Sequence, residues 1–186
     1  MKRHDRILDR ERSLLLVIDL QESYRGKILE EARTLRGANR LLDAAGILDL
    51  PVLLTEQYPK GLGSTLEEVS LHLPDRTERF EKVAFSALGA EGLPEALARH
   101  GRDQIVLAGI ETHVCVSQTT HDLLARGLQV HLVRDAVTAR FSLEDEVGMA
   151  KMTASGASLA SSEQVLFEWL ERAGSSEFKA IHGLVV

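Results

Sequence analysis

Short runs of apolar residues alternate along the chain with segments of helical periodicity. The first run, SLLLVI, occupies Ser13–Ile18 and ends in Asp19. Further strands are predicted at 51–55 (PVLLT), 79–83, 104–108 (QIVLA) and 128–133 (LQVHLV). Continuous apolar runs of this length are typical of strands that are buried on both faces, as in a parallel sheet.

Between these strands, apolar residues recur at the i, i+3 and i+4 offsets of amphipathic helices. Helices are predicted at 31–48, 93–100, 114–126, 142–155 and through VLFEWL at 165–170. Ser142 with Asp145, and Ser161 with Gln164, have the spacing of N-terminal caps. The segment EQYPKGLGS at 56–64 is predicted as a loop because it contains a proline and two glycines.

This alternation predicts one domain over residues 1–186, a three-layer α/β/α, Rossmann-like fold with a mostly parallel sheet of about six strands. Ligands of such sheets bind beyond the carboxyl ends of the strands. Asp19, Glu56 with Gln57, and the residues after Ala108 are therefore expected at one edge of the sheet.

Composition and charge narrow the class of partner. The chain of 186 residues is 44% hydrophobic and carries a formal net charge of -6, so it lacks the positive surplus that attracts nucleic acid or anionic lipid. A small-molecule partner is predicted instead. One cysteine cannot form an internal disulfide, and the charged N-terminus has no apolar run typical of a signal peptide or membrane span. Both features predict a cytoplasmic protein.

The single cysteine, Cys115, is the first candidate for chemistry. It follows Gly109 by six residues, at the predicted first turn of a helix, where backbone N–H groups favour a thiolate. A lone cysteine is otherwise a small buried hydrophobic residue. Asp19 at the end of a buried strand is either a proton acceptor or the cap of a turn. Lys82 could place its ammonium near both residues, or could be a solvated surface charge.

Several segments together resemble the isochorismatase-like cysteine hydrolases, a family that includes nicotinamidases and related amidases. The matching segments cover nearly the whole chain: VIDLQESY, TEQYPKGLG, KVAFSA, LAGIETHVCVSQTTHDLLARG, VHLVRDAVTAR and KMTASGASLASSE. The resemblance implies a catalytic triad of Asp19, Lys82 and Cys115. It also implies a cis peptide bond between Ile110 and Glu111, and assembly into a homo-oligomer, a dimer or larger.

The mechanism implied by this resemblance is covalent catalysis. Asp19 accepts the thiol proton, Cys115 attacks a carbonyl carbon, and Lys82 supports the charged site. The backbone N–H groups of Glu111 and Cys115 form the oxyanion hole. No cofactor is implied.

The resemblance also bears on metal and substrate binding. Nicotinamidases hold a divalent ion with an aspartate and two histidines after the second strand, whereas TEQYPKGLG offers Glu56 and no histidine, so no metal site is predicted. His113, two residues before Cys115, is the less favoured alternative activator of the thiol. The residues predicted to line the substrate pocket are Tyr24, Glu56, Gln57, Tyr58, Ile110, Thr112 and His113.

Two hypotheses follow from the sequence. The first is a metal-independent hydrolase that cleaves a small amide, ester or related carbon–heteroatom bond through a Cys115 intermediate. The second is a thiol-based redox sensor, or a non-catalytic interaction domain, on the same fold. The presence of Asp19 and Lys82 favours the hydrolase, because a sensor needs no fixed proton acceptor.

Overall fold

The computed structural model describes residues 3–186, which contain six strands in a single sheet. The strands are β1 (Ser13–Ile18), β2 (Val52–Gln57), β3 (Glu78–Lys82), β4 (Gln104–Gly109), β5 (Gln129–Val137) and β6 (Ser158–Ala160). Their order is β3-β2-β1-β4-β5-β6, and every neighbouring pair is parallel. The predicted α/β fold is confirmed, and the carboxyl ends of all six strands lie at the same edge.

Helices cover both faces of this sheet. They are α1 (Glu31–Ile47), α2 (Pro59–Leu62), α3 (Glu67–Ser70), α4 (Leu93–His100), α5 (Ser117–Ala125), α6 (Ser142–Ala154), α7 (Ser162–Leu170) and α8 (Phe178–His182). α1, α7 and α8 pack on one face, against alternate residues of the central strands such as Leu15 and Val17. α4, α5 and α6 cover the other face, towards which Leu14 and Leu16 point. Because β1 is wholly buried, both of its faces are apolar.

Some boundaries differ from the predicted ones. β5 continues to Val137 instead of ending at 133, because the polar residues Arg134 and Asp135 interrupt the apolar run without interrupting the strand. β2 extends into the predicted 56–64 loop, which also contains α2 with its proline in the first turn. The short β6 and the helices α3 and α8 were not predicted.

The two predicted caps have different outcomes. The Ser161 hydroxyl accepts a hydrogen bond of 3.2 Å from the Gln164 N–H, so this cap is confirmed. The Ser142 cap is wrong, because α6 begins after Phe141 without a side-chain cap. Asp145, the acidic residue of that motif, instead points inwards and accepts a hydrogen bond from Thr112.

No helix within residues 3–186 has the length and apolar character required to cross a bilayer.

Candidate active site

At the ends of β1 and β4, the backbones of Ile18 and Gly109 lie side by side and leave no room for a side chain at position 109. A Cβ atom at Gly109 would lie 2.1 Å from the carbonyl oxygen of Ile18, and Gly109 also has a φ of 125°, which disfavours any side chain. The next residue, Ile110, donates its N–H to the same carbonyl at 2.9 Å. Glycine at this position therefore brings the segment that leads to Cys115 directly alongside Asp19.

Asp19 is held in a left-handed conformation, with a φ of 54°, immediately beyond β1. Its side chain is only 2% exposed. Oδ1 accepts a hydrogen bond of 2.7 Å from the Thr55 hydroxyl, and Oδ2 accepts one of 2.7 Å from Lys82 Nζ. Burial raises the pKa of the Asp19 carboxyl, and the ammonium of Lys82 opposes this effect.

Lys82, the last residue of β3, is the buried cation of the site rather than a surface charge, since its side chain is 0% exposed. Besides Asp19, its Nζ contacts Gln57 Oε1 at 2.6 Å and the Phe85 carbonyl oxygen at 3.1 Å. These three short contacts match the three N–H groups of an ammonium, and the Ala84 carbonyl oxygen lies farther away, at 3.4 Å. This arrangement fixes the position of the charge, and Lys82 has little freedom to move.

Cys115 lies in a π-helical turn, Thr112–Val116, that precedes α5. Cys115 is 7% exposed, and the charges of both Asp19 and Lys82 act on its thiol. Burial and the charge of Asp19 raise the pKa of the thiol to about 12, although Lys82 acts in the opposite direction. The expectation of a resting thiolate is therefore wrong, because burial and a neighbouring carboxylate outweigh the helix start.

The segment before Cys115 is anchored on both sides. The peptide bond between Ile110 and Glu111 is cis, as the family resemblance implies. Thr112 is fully buried; its N–H donates to the Thr138 carbonyl at 3.0 Å, and its hydroxyl donates to Asp145 Oδ1 at 2.5 Å. These bonds fasten the turn to the end of β5 and to α6. Thr112 and the buried Ile110 thus support the site from behind instead of lining an open pocket.

Gln57 and Glu56, both predicted to line the pocket, are bound to the protein. Gln57 accepts the hydrogen bond from Lys82 and donates to the Val83 carbonyl at 2.9 Å. Its own N–H donates to Gln21 Oε1 at 2.7 Å. Glu56 Oε1 accepts hydrogen bonds from the N–H and the hydroxyl of Thr65, at 2.7 and 2.6 Å. Gln57 therefore positions Lys82, and Glu56 tethers a loop.

Tyr24, Tyr58 and His113 are the remaining residues predicted to line the pocket. Tyr24 is half-buried, and burial and the charge of Glu111 raise the pKa of its phenol. Tyr58 is exposed. His113 Nδ1 is buried and has no hydrogen-bond partner within residues 3–186, so a hydrogen-bonded pair with Cys115 through this atom is not formed.

The sequence reasoning missed several side chains that complete the site. Thr55 and Gln21 were not singled out, although each is a polar residue beside a predicted strand end. The carboxylate of Glu111 was also missed: its Oε2 accepts hydrogen bonds of 3.0 Å from both the N–H and Nε of Arg140. Asp145 was considered only as a helix cap.

Within the described part of the chain, no three His, Cys, Asp or Glu side chains are placed together to hold a metal ion. Glu56, the one acidic residue that replaces the nicotinamidase ligands, is engaged by Thr65.

Comparison with known proteins assigns the family. Residues 13–164 match the model of the isochorismatase domain. The chain belongs to the isochorismatase family of hydrolases. Among similar proteins, the secreted isochorismatase effector Isc1 of Phytophthora sojae is 39% identical over 181 residues, covering 93% of this chain and 84% of its own length. Mouse isochorismatase domain-containing protein 2A is 40% identical over 178 residues, covering 94% and 83%.

A solved structure of the same family supports the fold of this isochorismatase-family protein. The MAR1 ribonuclease from Caenorhabditis elegans has a TM-score of 0.90 and 37% sequence identity, over 96% of this chain and 91% of the other.

Proposed function

We propose that this protein is a cysteine hydrolase that cleaves a small amide, ester or related carbon–heteroatom bond through a covalent intermediate on Cys115. The observation that carries the proposal is the buried pair of Lys82 and Asp19, 2.7 Å apart, whose charges both act on the thiol of Cys115. A nucleophile, its proton acceptor and a fixed cation are the parts that such catalysis requires. No metal or cofactor takes part in the proposed steps.

Acylation begins with the thiol protonated. As the sulfur of Cys115 forms a bond to the carbonyl carbon, its proton passes to the carboxylate of Asp19, and the carbonyl oxygen becomes an oxyanion. The backbone N–H groups of Glu111 and Cys115 are assigned to stabilise this oxyanion, a contribution of about 3 kcal/mol. When the carbon–nitrogen or carbon–oxygen bond breaks, Asp19 returns the proton to the leaving group.

Deacylation reverses the proton transfer. A water molecule attacks the thioester carbonyl while Asp19 takes its proton, and the resulting tetrahedral intermediate collapses to the free acid. The Cys115 sulfur leaves and regains the proton from Asp19. The raised pKa of Asp19 suits this alternation, because a buried carboxyl can hold the proton between the two half-reactions.

The test is intact-mass analysis of the protein incubated with a panel of small amides and esters. We expect a substrate-dependent acyl adduct, and it must lie on Cys115 if it is a thioester, because the chain has one cysteine. Cys115→Ala should show no adduct and should lose roughly 10³-fold or more in turnover. Hydrolysis that survives this substitution undiminished would rule out the nucleophile assignment.

The redox-sensor hypothesis fits the site less well. A sensing cysteine is accessible and has a low pKa. Cys115 is buried, and its pKa is raised to about 12. If the domain were non-catalytic, the burial of the Lys82–Asp19 ion pair would have no functional explanation. The hydrolase accounts for both features.

We also propose that the protein acts as a homo-oligomer in the cytoplasm, on small molecules and not on nucleic acid or membranes. Support for assembly comes from Phe141, Leu143 and Val147, three large apolar residues exposed at the start of α6. Light scattering on the purified protein should give a mass above that of one chain of 20.5 kDa. A monomer at micromolar concentration would contradict this part of the proposal.

A further inference from the structure

The segment that follows β5 places a charged side chain, Arg140, beside the turn that holds Cys115. Thr138 donates its N–H to the Gly109 carbonyl and accepts a hydrogen bond from Thr112 N–H, at 3.4 and 3.0 Å. It therefore lies between the end of β4 and the turn that holds Cys115. Two residues further on, Arg140 contacts Glu111.

Arg140 is held by one edge of its guanidinium group. Its backbone N–H and its Nε both donate to Glu111 Oε2 at 3.0 Å, and its Cζ lies 5.6 Å from the ring centroid of Phe141. Glu111 is 5% exposed, whereas the Arg140 side chain is 46% exposed. Within residues 3–186, no acceptor bonds to either Nη atom of Arg140. The fork of N–H groups that binds carboxylates is thus oriented and open.

The loop after β1 packs beside the segment that carries Arg140. The loop after β1 is joined to the segment after β5, since Leu29 N–H donates to the Ala139 carbonyl at 2.9 Å. Tyr24 is half-buried in this loop, where burial and the charge of Glu111 raise the pKa of its phenol and the charge of Arg140 lowers it. Glu111, which binds Arg140, accepts hydrogen bonds of 3.0 and 3.2 Å through its carbonyl from the N–H groups of Val114 and Val116, so the guanidinium lies beside the turn that carries Cys115.

We propose that Arg140 binds a carboxylate of the substrate, so that the preferred substrates are small acyl compounds with an anionic group beyond the scissile carbonyl. This inference rests on the proposed cysteine hydrolysis. The charges in the site are otherwise matched, because Lys82 faces Asp19 and Arg140 faces Glu111. One carboxylate can add to the open edge of Arg140 and form two parallel hydrogen bonds. The alternative is that Arg140 only neutralises the buried Glu111.

The test uses alkylating agents that differ in charge alone. Iodoacetate and iodopropionate are each compared with the corresponding neutral amide, and the rate of alkylation of Cys115 is followed by intact mass. In each reaction the thiol sulfur displaces iodide and the thiol proton is released. Relative to free cysteine, we expect at least one of the two anionic reagents to be favoured by roughly tenfold over its amide.

Variants separate carboxylate binding from simple charge compensation. Arg140→Gln should abolish the preference for the anion, and Arg140→Lys should keep only part of it. The double variant Arg140→Gln, Glu111→Gln has the net charge of the native chain and should also lack the preference. Arg76→Gln, at an exposed arginine paired with Asp49, is the matched control and should retain it. The ratios are compared only among variants that show the native unfolding transition, because unfolded protein would be alkylated with the ratio of free cysteine.

A preference that persists in the double variant overturns the inference, as does the absence of any preference in the native protein. Alkylation requires no turnover, so these outcomes do not depend on hydrolysis. If the anion preference depends on Arg140 while no amide or ester gives an acyl adduct, the anion site is supported and the hydrolase proposal fails. If neutral and anionic esters are hydrolysed equally and Arg140→Gln has no effect, the hydrolase stands without an anion site.

Discussion

The Cys115 thiol keeps its proton because it is buried and because the carboxylate of Asp19 is nearby. Burial and the carboxylate of Asp19 raise its pKa to about 12, and Lys82 compensates only in part. At neutral pH Cys115 is therefore a thiol, and a free thiolate is rare. The proposed hydrolysis then requires that the thiol proton pass to Asp19 as the substrate is attacked.

Replacing Asp19 should separate acidity from catalysis. In Asp19→Asn the charge that raises the thiol pKa is gone while the Lys82 charge remains, so the pKa of Cys115 should fall below about 12. Hydrolysis should fall by roughly 10²- to 10⁴-fold, because the proton acceptor is lost. A pH titration of the ultraviolet absorbance of the thiolate measures the first effect, and turnover measures the second. A pKa that rises in this variant would refute the assigned direction.

Gln57 is expected to act as a positioning residue for Lys82. Gln57→Leu removes an acceptor 2.6 Å from the ammonium and leaves a buried charge less well satisfied, at a cost of about 1.5–3 kcal/mol in the free energy of unfolding. Turnover should fall, and the pKa of the thiol should change because Lys82 contributes to it. Gln57→Glu retains an acceptor and should restore part of the stability. Denaturant unfolding and the thiolate titration are the measurements; unchanged values in Gln57→Leu would contradict the role.

At the scale of elements, α6 supports the turn that holds the nucleophile. Gly148 lies against this turn so closely that an added Cβ would be 2.9 Å from His113 Cα and 3.0 Å from its backbone nitrogen. These are main-chain atoms and cannot rotate away. The contact, together with the hydrogen bond from Thr112 to Asp145, fixes the distance between α6 and the turn.

Gly148→Ala should therefore destabilise the protein by about 1–3 kcal/mol through overpacking, and should slow both alkylation and turnover at Cys115. The matched substitution is Gly46→Ala in α1, where the added Cβ would be 3.6 Å from the nearest atom, Pro74 Cγ. Gly46 lies in the last turn of α1 and does not have a positive φ, so alanine there should stabilise by no more than about 1 kcal/mol and leave Cys115 unaffected. Thermal and denaturant unfolding of the pair measure both effects; equal stabilities would refute the close packing.

The elements that sequence predicted well are those whose burial is uniform. β1 and β4 are continuous apolar runs, so their positions follow from the local pattern, and burial on both faces indicates a parallel sheet. β5 extends through Arg134 and Asp135, whose partners lie in other elements and are invisible in a local pattern: Arg134 pairs with Asp145, and Asp135 with Ser162. Local periodicity predicts which residues are buried apolar ones. It does not predict a strand that continues through polar residues whose hydrogen-bond partners lie far away in the sequence.

The same limit applies to the site. Asp19, Lys82 and Cys115 could be predicted from the sequence, because they follow predicted strands and match the triad that the family resemblance implies. The role of Gln57 depends on the pairing of β2 with β3, in which Gln57 is the direct partner of Lys82. The contact of Glu111 with Arg140 depends on how the segments after β4 and β5 meet. Both require a register that a single sequence does not contain.

At the scale of the whole molecule, the net charge argues against a nucleic-acid substrate. The chain has 22 basic and 28 acidic side chains, and the buried cation Lys82 is already paired with Asp19. Proteins that bind a phosphate backbone do so largely by placing Lys and Arg along it and releasing its counterions. No surplus of positive charge is present for this purpose.

This reasoning predicts a difference from the C. elegans relative that is called a ribonuclease. Single-stranded RNA should not bind at physiological ionic strength, and it should not be cleaved at a rate that Cys115→Ala reduces. Fluorescence anisotropy of a labelled RNA, repeated at low salt, tests binding, and gel analysis of the same RNA tests cleavage. Micromolar binding that weakens steeply with salt, or cleavage lost in Cys115→Ala, would show that local charge outweighs the net charge of -6.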